Sequence, residues 1–80
     1  MDSKLSVVAI IVSDLQAVER INGLLHDFGE YIVGRLGIPY KSKKVHIITV
    51  IIDAPQEVIS SLSCKLGMID GVMSKVLTTK

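Results

Sequence analysis

Three side chains in this sequence have the chemistry to ligate a soft metal: His26, His46 and Cys64. They lack the close spacing that dedicated zinc or copper sites use, in which ligands recur within a few residues of each other. By the element assignment below they fall on a helix, a strand and a second helix. His46 is the one on a strand, so it is the metal candidate, through copies gathered across a two-fold axis between subunits. The plainer reading makes His46 a satisfied sheet histidine, His26 a solvent-side helix residue and Cys64 a small helix hydrophobe.

A second group could hold an anion. Gly34, Arg35, Gly37 and Tyr40 combine backbone freedom, a fixed positive charge and an aromatic ring, and Lys41, Lys43 and Lys44 follow. A guanidinium beside mobile backbone suits a carboxylate or phosphate ligand. The same residues also read as an edge strand protected by charge and ended by Pro39. Ser13 and Asp14 form a third polar pair, which helix capping explains by itself. No Ser-His-Asp order, paired catalytic carboxylates, Walker glycine loop or zinc spacing is present, so the expectation is a protein that is not an enzyme.

Eighty residues are expected to make one domain, 1–80, and a domain of that size buries only about 60% of the surface its unfolded chain exposes. Yet 49% of the residues are hydrophobic and only 4% aromatic, with a mean hydropathy of +0.51, so the apolar content is mainly Val, Ile and Leu. That is more aliphatic side chain than a two-layer domain hides by itself. A formal net charge of +1 provides no field to steer the chain onto nucleic acid or an anionic membrane. The single cysteine excludes an internal disulfide framework and fits a reducing, cytoplasmic address. The apolar run Val7 to Val12 is far short of a membrane helix, and neither signal peptide nor anchor is expected.

Leu5 to Val12 is almost wholly aliphatic and rich in β-branched residues, the signature of a strand buried on both faces. Ser13-Asp14-Leu15-Gln16 has capping-box spacing, so a helix is expected from Ser13, with Val18, Ile21, Leu25 and Phe28 as its stripe and Gly29 as its stop. Glu30 to Leu36 reads as an edge strand, and Gly37 to Lys43 as an exposed loop. Lys44 to Ile52 is the second doubly apolar strand. Asp53-Ala54-Pro55-Gln56 repeats the capping pattern, with Asp53 as cap. The helix it opens carries Val58 or Ile59, Leu62 and Leu66, with Gly67 expected as a left-handed stop and Met68 as its hydrophobic contact. Asp70-Gly71 turns into a mixed edge strand, Val72 to Thr78.

The order is β-α-β-β-α-β, an α+β ferredoxin-like fold. Right-handed crossovers give a four-stranded antiparallel sheet in the order 4-1-3-2, with two helices on one face. Both residue sets of each central strand are aliphatic, so whichever set meets the helices, the other stays uncovered. Ile47, Ile48, Val50 and Ile51 are therefore interface candidates in a homo-oligomer, a dimer or a dimer-based tetramer.

The segments Gly34-Arg35-Leu36-Gly37-Ile38-Pro39-Tyr40, Ile52-Asp53-Ala54-Pro55 and Lys65-Leu66-Gly67-Met68-Ile69-Asp70-Gly71-Val72 resemble the small regulators assigned to iron-only hydrogenase systems. By fold that family is similar to ACT domains and to the carboxy-terminal domain of the nickel-responsive repressor, which oligomerise and bind small effectors between subunits. The resemblance implies an oligomeric effector-sensing module. It places an effector at Ser13 and Asp14, where ACT-like domains often hold theirs, or a small molecule or metal between subunits, and names no cofactor. Only Met1 to Lys4 precede the first strand, too few for a ribbon-helix-helix, so no direct sequence-specific DNA binding is expected. A transcriptional role would be exercised without a DNA-binding domain of its own. The alternative is a structural protein–protein interaction module with no small-molecule ligand.

Overall fold

A computed structural model describes residues 2–79, so the ends of the expected domain, Met1 and Lys80, lie outside the described residues. Strands β1 (Lys4–Val12), β2 (Ile32–Tyr40), β3 (Val45–Ala54) and β4 (Val72–Thr78) form one sheet in the order β2-β3-β1-β4, every neighbour antiparallel. This is the expected order. The two aliphatic strands take the centre because a central strand has neighbours along both edges and side chains to hide on both faces. Helices α1 (Val18–Asp27) and α2 (Gln56–Gly67) cover one face, with short 3₁₀ turns at Leu15–Ala17, Gly29–Tyr31 and Lys41–Lys43.

The core lies between the helices and one alternate set of strand residues. Val8, Ile10 and Val12 of β1 and Ile48, Val50 and Ile52 of β3 have no exposed surface, and they cluster with Ile21 and Leu25 of α1 and with Ile59, Leu62 and Leu66 of α2. Ser6 is the buried polar residue of this face, and its hydroxyl hydrogen-bonds that of Thr78 across the β1–β4 pair at 2.9 Å. This placement removes Ile48 and Val50 from the interface candidates, because their side chains are spent in the subunit's own core.

Several local expectations are corrected. Asp14, not Ser13, caps the first helical turn by accepting a hydrogen bond from the Gln16 amide at 3.0 Å. Ser13 instead donates through its amide and its hydroxyl to the Gly71 carbonyl, at 2.8 and 3.2 Å, tying the end of β1 to the start of β4. Asp53 still belongs to β3, so α2 starts at Gln56 behind the extended Pro55. Gly67 ends α2 as a helical residue, and Met68 is exposed while Ile69 is buried. The glycine in the left-handed region is Gly71, φ +78°, where a Cβ would stand 2.6 Å from the Asp14 Cβ. Only glycine fits there.

The largest correction concerns β2, which runs on through Gly37, Ile38, Pro39 and Tyr40 in place of the expected loop. An edge strand tolerates Pro39 because half of its amides face away from the sheet. Register slips between Ile32 and Gly34: Ile32 lies opposite Ile52, but Gly34 lies opposite Ile51. Val33 is the extra residue of this bulge. Beyond it the even-numbered residues of β2 switch to the face away from the helices.

Candidate functional site

The face away from the helices can be read row by row from the register. Leu77, Val7, Ile51 and Gly34 form one row across β4-β1-β3-β2; Lys75, Ala9, Thr49 and Leu36 the next; Met73, Ile11, Ile47 and Ile38 the third; Val45 and Tyr40 close it. Lys75 is the one charge in these rows. Val7 and Ile51 are 38% and 39% exposed even at the centre of the sheet, and Met73 and Leu77 at its edge reach 69% and 75%. The large side chains here leave on the order of 900 Å² of apolar surface in contact with solvent, beyond the ~300–600 Å² of the largest patch on a typical monomer. Total accessible surface agrees: 5488 Å², against roughly 4,700 Å² expected for a folded monomer of this mass.

The anion-binding group does not converge. Gly34 and Tyr40 lie on the open face, opposite Ile51 and Val45, whereas Arg35 and Gly37 lie opposite Val50 and Ile48 on the helix side. The Arg35 guanidinium is already used, donating to the Asn22 side-chain oxygen of α1 at 2.6 Å. This bond fastens the edge strand to the helix layer. Gly37 makes room for His46, since a Cβ there would come within 3.3 Å of the imidazole Nε2. His46 pairs with Val12 and Pro39 and belongs to the helix-side set. Copies meeting through the open face therefore would not bring His46 together. Among the described residues no group of three His, Cys, Asp or Glu side chains is placed to share a metal ion. His26 and Cys64 are exposed, on α1 and α2. Ser13 and Asp14 are occupied by the turn contact and the cap.

The sequence pattern reveals the residues of this open face only in part. Leu36, Ile38 and Tyr40 join it because of the Val33 bulge, which leaves no periodic signal, and Met73 and Leu77 alternate with polar residues as any edge strand does.

Fold and surface define a small ferredoxin-like α+β domain with one packed and one bare sheet face. Residues 4–76 match the family described as "TM1266-like: Iron-only hydrogenase system regulator, putative", and the chain belongs to that family. It is similar to the solved structure of the uncharacterized protein TM1266 from Thermotoga maritima, with a TM-score of 0.93 and 32% identity over 99% of this chain and 100% of that one. No curated protein matches the sequence. Among the described residues no helix is long and apolar enough to cross a membrane.

Proposed function

We propose that this chain is a non-catalytic, effector-sensing regulatory module of an iron-only hydrogenase system, acting in the cytoplasm as a homo-oligomer joined through the bare sheet face. The family membership supports the regulatory role. The observation that carries the assembly is the largely apolar surface from Met73 and Leu77 across to Ile38 and Leu36, interrupted by Lys75 and Thr49. Two such faces stacked hide about 1,800 Å² in total, the size of a standard stable interface. A two-fold presents the same patch on both sides, so the surface is its own complement in chemistry. An effector that prefers one assembly state shifts the population toward it, which is how a domain without catalytic groups can report a signal. With its charges balanced, the domain regulates through effector and protein contacts and does not read duplex DNA itself.

Light scattering on the parent and on Ile47→Lys tests the assembly, and a thermal-shift panel of metals, amino acids and nucleotides tests the sensing. The expected results are an assembled parent, a monomeric variant and a hit that raises the melting temperature. A parent that is monomeric at about 10 μM, where any interface tighter than micromolar would be filled, overturns the assembly. An assembled parent with no hit favours the structural interaction module instead, which rests on the same face.

A further inference from the structure

We infer that the cleft between α1 and α2 is a binding site for a small organic anion, a molecule carrying a carboxylate or phosphate beside an apolar body. The cleft is open to solvent, about 600 Å³ in volume, and lies on the layer opposite the bare sheet face. Its walls bring Arg20 from the first turn of α1 and Lys65 from the last turn of α2 to one space, with His26 and a single acid, Asp27, at the far end of α1 from Arg20. The Lys65 ammonium stands over the Phe28 ring, 5.5 Å from its centroid, so its position is held without spending its charge on a carboxylate. Leu24 and Ile69 supply an apolar floor. A few cations around apolar side chains in a shallow, solvent-open groove suit a small amphipathic ligand that lies on the surface with its charged head paired.

Gly23, which also borders the cleft, points the same way. It sits in the interior of α1, where glycine is among the poorest helix formers, yet a Cβ added there meets nothing within 4 Å. Packing within the chain does not require a glycine at this position. A ligand lying over α1 does, because any side chain on Gly23 would rise into the cleft.

This inference deepens the effector-sensing part of the proposed function and rests on it; self-association is read separately by light scattering. The test is backbone-amide NMR of the full chain titrated with hexanoate and with hexyl phosphate, using hexanol as the body-only control and inorganic phosphate as the head-only control. One or both amphipathic anions should give saturable shifts confined to residues 20–27 and 65–69, and which of the two does so identifies the head group. Arg20→Ala should weaken that binding about tenfold, as loss of one charge-assisted contact does. Gly23→Leu should abolish it while the melting temperature holds or rises, which separates filling of the cleft from unfolding. The inference is overturned by an absence of saturable shifts, by shifts centred on Ile11, Ile47 and Met73 of the sheet face, by hexanol binding as well as hexanoate, or by either variant binding like the parent.

Discussion

The two faces of the sheet are built from the same strands and nearly the same residue types, yet one is a core and the other a surface. Ile48 and Ile47 are adjacent in the chain and chemically identical. Ile48 has no exposure and packs in the cluster that holds both helices, while Ile47 looks out between Ile11 and Ile38. Hydrophobic side chains are therefore a record of what must be covered, not of what the chain itself covers. In the core, cover comes from α1 and α2. On the other face the chain supplies none, and the proposed assembly supplies it.

That contrast is broken most severely by Ile48→Lys. A lysine in the closed core has no partner and leaves the packing of an isoleucine unfilled, a loss above the ~2–5 kcal/mol of an isoleucine-to-alanine change. Circular dichroism should show no cooperative thermal transition. A folded variant would mean that the two faces are less different than their burial indicates.

Gly71→Ala tests what keeps β4 in register, and so keeps Val76 packed against the core while Met73 and Leu77 face outward. The positive φ and the overlap with the Asp14 Cβ should cost about 1–3 kcal/mol, with a lowered urea midpoint. An unchanged midpoint would show that the Ser13–Gly71 tie does not hold the strand.

Ile47→Lys, at a half-buried position, should cost the subunit only about 1 kcal/mol, and show itself in mass rather than in fold. Retention of the native circular dichroism spectrum together with loss of assembly by light scattering is the expected pair of results. The smallest effect is assigned to Gly67→Ala. Gly67 is helical and a Cβ there meets nothing within 4 Å, so alanine should stabilise by about 0.5–1 kcal/mol. A destabilised Gly67→Ala would return the left-handed stop to that position, where the sequence suggested it.

Much of this architecture is legible in the residues alone. The aliphatic runs Leu5 to Val12 and Val45 to Ile52 demand central strands because they have no polar side to give to water. Val18, Ile21 and Leu25, and Ile59, Leu62 and Leu66, carry the helical period, and the edge strands declare themselves by Gly34 and Arg35 and by Ser74, Lys75 and Thr78. Those features determine the element order and the strand order. The choice of face is different in kind. Where both alternate sets of a strand are aliphatic, a period of two has no sign, and only the seating of the helices on Val8, Ile10, Ile48 and Val50 selects which set becomes core. The same holds for β2, where one extra residue at Val33 reverses the alternation and carries Leu36, Ile38 and Tyr40 onto the open face. A bulge is a matter of pairing between two strands distant in sequence, so the structure alone decided it.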